Sequence, residues 1–351
     1  MAFYKKNTLQ QDQNQHQQTT FELLVPISND GVYIHNNHKT HENVKTTIQN
    51  WQLRNLISCS DPRTIVHPYH ESLYFYNIKT NSDSLVMDNL PYAPTALDSG
   101  YGYVALAGHR GMVMINSLSS DWNTTLKAGL GMNNCVRLSQ HNSDLRVTIC
   151  NNDQTISVYS IPSMQKLILI DMPAAINQVA VSPDGEKMLA VCDNGYAYIY
   201  QVSDYSRIKD LQEGAALLAC AWKPTSDVFA VSTQDGLVHV YDAYTYQMVA
   251  QLGSIEPRKT RNAPRSIHFS KGPLDLLVYA EHVSNVNIVD TRTYETRQII
   301  RLGPQDRDTH IAGLTFSPDN RTILVALETD LIQLPIDTIA RRQFPSSKPL
   351  L

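Results

Sequence analysis

Five histidines are the first residues of this sequence whose type and spacing could support chemistry. His35, His38 and His41 lie three residues apart, which would place metal ligands on one face of a helix. The segment around them is rich in asparagine and favours a solvent-exposed coil, whereas zinc needs a rigid and closed ligand shell. His67 and His70 are interpreted in the same way. We therefore expect no metal site and no cofactor.

Carboxylates recur in short polar turns between apolar segments, as in the Asp-Asn-Gly turn at Asp193 and the Gln-Asp-Gly turn at Asp235. A carboxylate held partly away from water could bind a free α-amine or a basic side chain through charge-assisted hydrogen bonds. The alternative is that Asp and Asn only satisfy the backbone requirements of tight turns. The acidic residues in such turns are Asp153, Asp193, Asp235, Glu281, Glu328 and Asp330.

A basic segment, residues 256–266, adds opposite charge with Arg258, Lys259, Arg261 and Arg265. We interpret it as a flexible connection that either binds an acidic part of a partner or is simply solvated. Catalytic motifs such as G-x-S-x-G, H-E-x-x-H and the P-loop do not occur, so we expect no enzymatic activity.

The elements that position these residues repeat along the chain. Seven short apolar strands align at equivalent positions 40 to 48 residues apart, which is the spacing of propeller blades. The aligned positions are Tyr76, Asn116, Tyr159, Tyr200, Tyr241, Val289 and Pro335.

Other apolar strands flank each aligned one, joined by polar turns such as Ser182-Pro183-Asp184. Four strands in each of seven units predict an all-β fold, a seven-bladed WD40-type β-propeller. The turns between second and third strands share a face with the links between blades. The carboxylates above should therefore form an acidic arc on that face.

Composition limits the remaining possibilities. The chain has 351 residues, a net charge of −4, 42% hydrophobic residues and no apolar run near the roughly 20 residues of a membrane span. We expect neither membrane nor nucleic acid partners, since nucleic acid binding depends on clustered Lys and Arg. Five widely spaced cysteines without a C-x-x-C motif favour a reducing cytoplasm or nucleus over a disulfide framework.

The domain prediction places a disordered Gln/Asn-rich tail at residues 1–19, the propeller at 20–345 and a C-terminal tail at 346–351. We also expect the strand Thr20–Ile27 to close the ring by pairing with the last blade, because unpaired strand edges invite aggregation.

Blade six carries a more specific motif, Gly272-Pro273-Leu274-Asp275-Leu276-Leu277, followed by Ala280-Glu281-His282 and Val289-Asp290-Thr291-Arg292. With Arg265-Ser266-Ile267 and Gln52-Leu53-Arg54-Asn55-Leu56, it resembles a degenerate WD40 family of fungi, with plant relatives, that carries a short domain of unknown function.

One fungal member of that family is a substrate receptor of the GID (CTLH-type) ubiquitin ligase and recognises proteins that begin with threonine. The resemblance thus implies a receptor for N-terminal degrons, with ligase scaffold subunits as partners. The peptide-binding residues expected on the charged face are Asp193, Asp235, Glu281, Glu328, Arg258, Arg261 and Arg265. A generic WD40 scaffold of another complex and a lactonase-like propeller enzyme are the alternative interpretations.

Overall fold

A computed structural model describes residues 27–35, 37–52, 54–61, 63–253, 262–304 and 306–342. In this part of the chain, 28 strands form seven four-stranded antiparallel sheets. The first strands of neighbouring sheets contact one another around a central channel, so each sheet is one blade of a seven-bladed propeller. The predicted all-β fold is confirmed.

The strands follow the chain order except in the last blade. Strand β1 is Lys39–Glu42. Blade one contains β2 (Ser58–Asp61), β3 (Thr64–Tyr69), β4 (Ser72–Asn77) and β5 (Ser82–Met87). Blade two contains β6 (Ala96–Gly100), β7 (Tyr103–Ala107), β8 (Met112–Ser117) and β9 (Asn123–Lys127). Blade three contains β10 (Asn133–His141), β11 (Asp144–Asn151), β12 (Thr155–Ile161) and β13 (Lys166–Asp171). Blade four contains β14 (Ile176–Val181), β15 (Lys187–Cys192), β16 (Tyr196–Gln201) and β17 (Arg207–Gln212).

Blade five contains β18 (Leu217–Trp222), β19 (Val228–Thr233), β20 (Leu237–Asp242) and β21 (Met248–Gly253). Blade six contains β22 (Pro264–Phe269), β23 (Leu276–Glu281), β24 (Asn285–Asp290) and β25 (Arg297–Arg301). Blade seven contains β26 (Ile311–Phe316), β27 (Thr322–Leu327) and β28 (Asp330–Pro335), with β1 as its fourth strand. One short helix, α1 (Thr338–Arg342), and two 3-10 turns, His109–Gly111 and Gly272–Leu274, complete the assigned elements of the described residues.

The core lies between blades, because the middle strands are buried on both faces. In β23, Leu276 and Val278 pack towards blade seven, while Leu277 and Tyr279 pack towards blade five. All four side chains are inaccessible to solvent, as the continuous apolar run in the sequence predicts.

The third strands predicted from the repeat are β4, β8, β12, β16, β20, β24 and β28. The Ser-Pro-Asp turn is also confirmed, since the amide of Gly185 donates to the carbonyl of Ser182 over 2.8 Å. Turn chemistry and apolar alternation were therefore sufficient to locate the blades.

Ring closure differs from the prediction. The outermost strand of blade seven is β1, in which Thr40 pairs with Ile332 and His41 with Leu331. The predicted strand Thr20–Ile27 lies outside the described residues except for Ile27. The chain that follows Ile27 runs along blade six, where the amide of Ser28 donates to the carbonyl of Glu295 over 2.7 Å. The tails predicted at residues 1–19 and 346–351 also lie outside the described residues.

Helix α1 packs on the 3-10 turn that opens the Pro273-Leu274-Asp275 motif. Arg341 of this helix binds both carboxylate oxygens of Asp290, over 2.7 and 2.9 Å. It also donates to the carbonyls of Leu274 and Asp275, over 2.8 and 3.1 Å. We call Arg341, Asp290, Asp275 and Arg292 the blade-six clasp, since Arg292 in turn binds the carboxylate of Asp275 over 3.0 Å.

In the described residues, no helix combines the length and apolar character that crossing a membrane would require. All five cysteines are free thiols.

Candidate functional site

The acidic turns lie on the face that carries the links between blades, where the meander of each sheet places them. Asp193 and Glu328 are exposed, and Asp153, Asp235 and Asp330 are half-buried. Most of these carboxylates already accept local hydrogen bonds: Asp193 from the Asn177 amide over 2.6 Å, and Asp235 from the Thr233 hydroxyl. These acidic residues therefore support their own turns, and they lie on one face of the propeller. That they bind a ligand stays a prediction.

Glu281 differs from the other acidic residues, because it ends strand β23 instead of lying in the exposed turn, and it is 1% exposed. Its two carboxylate oxygens accept hydrogen bonds from the side-chain amides of Asn285 and Asn287, each over 3.0 Å. The sequence placed Glu281 at the surface of the acidic arc, and that placement is wrong. The strand is one residue longer than predicted, and two amides of β24 satisfy the buried carboxylate.

The basic segment also needs a correction. Arg258 and Arg261 lie outside the described residues. Arg265 was predicted on a flexible loop, but it is the second residue of the innermost strand β22 and is only 4% exposed.

A β-bulge places Arg265 at the end of the central channel. In the pairing of β22 with β23, Pro264 opposes Glu281 and Ser266 opposes Ala280, so Arg265 is the extra residue. Equivalent bulges put Asn134 and Asn177 at the same position in blades three and four. Bulges turn the extra side chain out of the regular pleat, so these residues converge on the mouth of the channel.

Asn134 and Asn177 use this position to tie blades together. The amide of Asn134 donates to the carbonyl of Ile176 over 2.9 Å, and that of Asn177 donates to the carbonyl of Leu217 over 2.7 Å. Arg265 makes no such bond. Its Nε, Nη1 and Nη2 atoms are all buried and have no hydrogen-bond partner.

Trp51 covers Arg265. The guanidinium carbon lies 4.6 Å from the centroid of the indole ring, within the range of a cation–π contact. Trp51 itself is 52% exposed, so its ring lies between the buried arginine and solvent. An exposed tryptophan over a buried arginine combines two residue types that dominate the energetics of protein interfaces.

Arg54 adds a second cation to the channel mouth. It donates to the carbonyl of Asn50 over 2.6 Å and to Nδ1 of His282 over 3.2 Å, so this nitrogen of His282 is an acceptor. Burial lowers the pKa of Arg54 to about 10 against the opposing charge of Glu328, and burial followed by the charge of Arg54 lowers the pKa of Arg265 to about 9. Both arginines are therefore charged at neutral pH.

Two histidines pack beside these arginines, with the rings of His282 and His310 5.3 Å apart. Burial, together with the positive charges of Arg265 and Arg54, lowers the pKa of His282 to about 3. We define the channel mouth as Trp51, Arg54, Arg265, His282 and His310. It is cationic at its centre, and the acidic arc surrounds it.

A cavity lined by Arg54 and Arg265 has a volume of about 10 Å³, roughly enough for one water molecule. Its described lining contains two arginines and several side-chain amides but no carboxylate. Nothing near it resembles a metal site, because in the described ranges no three His, Cys, Asp or Glu side chains are grouped to hold a metal ion.

Two of the histidines predicted to be exposed are buried. His41 lies in β1, is 3% exposed and contacts the Tyr76 hydroxyl at 2.8 Å and Gln333 at 3.0 Å. His67 is 2% exposed and contacts the carboxylate of Asp83 at 3.1 Å. Both rings are held in the sheets by hydrogen bonds on each ring nitrogen.

Sequence reasoning missed Trp51, Arg54 as a site residue, and His310. A signal for the site was nevertheless present. Alignment of the first strands puts Asn134, Asn177, Leu218, Arg265 and Ala312 at one position, and arginine is the only charged residue of this set.

Comparison with protein families adds a match inside this part of the molecule. Residues 262–301 match the family model of an uncharacterised protein domain, DUF2415. The match contains all four strands of blade six, with Arg265 of the channel mouth and Asp275, Asp290 and Arg292 of the blade-six clasp.

Similar proteins are found in fungi. An uncharacterised protein of Schizosaccharomyces pombe is 28% identical over 341 residues, covering 91% of this chain and 97% of that protein. An uncharacterised protein of Saccharomyces cerevisiae is 24% identical over 232 residues, 54% of this chain but only 32% of that protein. Subunit I of eukaryotic translation initiation factor 3 from Candida albicans is 22% identical over 182 residues, 46% of this chain and 51% of that protein.

Among solved structures, a chain in the crystal structure of the mitotic checkpoint complex has a TM-score of 0.72 to this chain. It is 14% identical and covers 95% of this chain and 98% of its own length. At this identity the likeness concerns the fold, and it agrees with the seven blades described above.

Proposed function

We propose that this protein is a non-enzymatic propeller that binds a protein or peptide partner at the channel mouth. The observation that carries the proposal is the pair Arg265 and Trp51, a buried arginine without hydrogen-bond partners under a half-exposed indole ring. A binding surface needs such an anchor at its centre and a polar rim around it. Exposed Asp193 and Glu328 provide part of that rim.

The comparisons support a role within an assembly. One similar protein is by name a subunit of a translation initiation factor, and the similar solved structure is that of a multiprotein complex. Free cysteines agree with the reducing cytoplasm or nucleus that we propose as its location.

More narrowly, we propose a substrate receptor of a GID (CTLH-type) ubiquitin ligase. This role rests on the resemblance of the blade-six motif to the fungal receptor family, and the match to the uncharacterised domain DUF2415 falls in the same residues. The generic scaffold of another complex is the alternative, and the initiation-factor relative favours it.

Affinity purification of the full chain with mass spectrometry separates the two roles. The receptor role requires stoichiometric recovery of ligase scaffold subunits, and recovery of an unrelated stable complex would support the scaffold role instead. A chain that purifies alone but turns over a substrate in an activity screen would contradict both.

The degron specificity has its own test. Isothermal titration should show that a peptide with a free N-terminal threonine binds more tightly than its acetylated form, because acetylation removes the charge that a carboxylate would bind. Glu328→Gln should reduce that difference, since Glu328 is an exposed acidic residue of the arc. Equal binding of both peptides would remove the amine-reading role and leave the protein-binding role intact.

A further inference from the structure

Arg265 at the channel mouth carries a buried positive charge with which no described carboxylate pairs. Among the described groups, the charged neighbour that shifts the pKa of Arg265 is Arg54, which is itself a cation. A buried guanidinium group normally pairs with a carboxylate or coordinates carbonyl oxygens, because its desolvation is otherwise unfavourable. Arg265 has neither, although its position in strand β22 is fixed by the bulge.

Water alone does not resolve this arrangement. The amide oxygens of Asn134 and Asn177 are also buried without partners, so one water could bridge an amide oxygen and a guanidinium nitrogen. Such a water would satisfy hydrogen bonds but would leave the charge of Arg265 uncompensated. An anion would accept the hydrogen bonds and would also compensate the charge of Arg265.

The shape of the site selects the kind of anion. Guanidinium groups bind carboxylates and phosphates in a planar, bidentate manner. The free volume of about 10 Å³ admits one oxygen-sized group, so one oxygen of the anion enters first and a bidentate contact requires the lining to move. A flat carboxylate needs a smaller rearrangement than a tetrahedral phosphate. The exposed ring of Trp51 is placed to contact the chain that carries the carboxylate.

We propose that Arg265 binds a carboxylate of a partner protein at the channel mouth, supplied by an Asp or Glu side chain or by a chain terminus. This inference rests on the proposed protein-binding function and specifies the chemistry of the partner. Arg54 contributes charge, and Trp51 positions the guanidinium group of Arg265 by stacking on it.

Fluorescence anisotropy with four labelled Gly/Ser peptides, on the full chain at low salt, tests the proposal. The first has a central Glu and an amidated C-terminus, the second has Gln in its place, the third has Gln and a free C-terminal carboxylate, and the fourth has phosphoserine. The Glu peptide should bind at least about tenfold more tightly than the amidated Gln peptide, since a hydrogen bond to a charged group contributes that much. The third peptide shows whether a chain terminus replaces the side chain.

Arg265→Gln should abolish the preference for Glu, whereas the matched variant Arg207→Gln should retain it. Arg207 is an exposed arginine on the outer strand of blade four, so its replacement changes the net charge equally but leaves the channel mouth intact. Circular dichroism of both variants verifies folding.

Three outcomes would overturn the proposal. They are equal binding of the Glu and Gln peptides, a preference for Glu that survives Arg265→Gln, and the absence of binding by any peptide, which would indicate that only water occupies the site. Preferential binding of the phosphoserine peptide would replace the carboxylate with a phosphate as the ligand. If partners purify with the chain but are retained equally by Arg265→Gln, the protein-binding function stands and the carboxylate site does not.

Discussion

Arg341 in the blade-six clasp and Arg265 in the channel mouth are both nearly inaccessible, at 6% and 4% exposure. Each lies over an aromatic ring, Arg341 at 5.1 Å from the centroid of Tyr33 and Arg265 at 4.6 Å from that of Trp51. Every nitrogen of Arg341 donates to a carboxylate or a carbonyl oxygen, whereas none of Arg265 does. Arg341 and Arg265 are therefore alike in burial and in stacking on a ring. They differ in their oxygen partners, which make Arg341 a structural residue and leave Arg265 as a candidate ligand-binding residue.

The electrostatics of the two regions follow from this difference. Burial alone would raise the pKa of Asp290, but the hydrogen bonds and charge of Arg341 hold it below its usual value. At the channel mouth the guanidinium group of Arg265 has no such counterpart among the described side chains, and burial together with the charges of Arg265 and Arg54 lowers the pKa of the neighbouring His282. The clasp thus pairs its charges within the fold, whereas the charge of Arg265 is the one that we propose a ligand compensates.

The largest effect should come from breaking the clasp. Arg341→Ala leaves the half-buried Asp290 without its partner and frees the carbonyls of Leu274 and Asp275, so the free energy of unfolding should fall by about 3–5 kcal/mol. Urea denaturation measures this loss. In the background of Asp290→Asn the same substitution should cost clearly less, because the two changes remove one interaction. Additive losses would show that the clasp is not a coupled unit.

As the pH falls, the two regions should lose their contributions to the free energy of unfolding in different pH ranges. His282 has a folded-state pKa of about 3, so between pH 6.5 and 3 the unfolded chain binds more protons than the folded one. Stability from this histidine is complete above pH 6.5 and decreases as the pH falls. Asp290, with a lowered pKa, loses its contribution only as the pH falls below about 4.

Urea unfolding at pH 7, 6 and 5 measures the contribution of His282, and the same experiment at pH 4 and 3 measures that of Asp290. Burial also lowers the pKa of His268 to about 3, so this residue makes the free energy of unfolding depend on pH with the same sign. The contribution of His282 is therefore obtained by comparing the wild type with His282→Asn. The variant should show the shallower dependence on pH in this window. Parallel curves would indicate that folding does not change the pKa of His282.

The blades could be predicted from the sequence because the residue pattern of each strand and turn depends on local interactions. Apolar alternation in Leu276–Tyr279 and the Ser-Pro-Asp turns depend only on neighbours along the chain. Closure was missed because β1 reads Lys-Thr-His-Glu, with His41 as its one buried residue, and gives no apolar pattern. Arg265 was missed for a different reason: a bulge and a contact with Trp51, remote in sequence, decide its burial.

The smallest effect, and one of opposite sign, should follow replacement of Arg265 by a side chain of similar length without charge. Arg265→Met removes a buried cation that has no hydrogen-bond partner, so the free energy of unfolding in the absence of a ligand should rise by about 1 kcal/mol. The lost cation–π contact with Trp51 offsets part of that gain, although the methionine thioether can still pack against the indole ring. Arg341→Met is the matched control, because the same change at a fully bonded arginine should destabilise the protein. Urea denaturation of both variants decides the comparison. If both lose stability by similar amounts, Arg265 is a structural residue like Arg341, and the distinction between the blade-six clasp and the channel mouth does not hold.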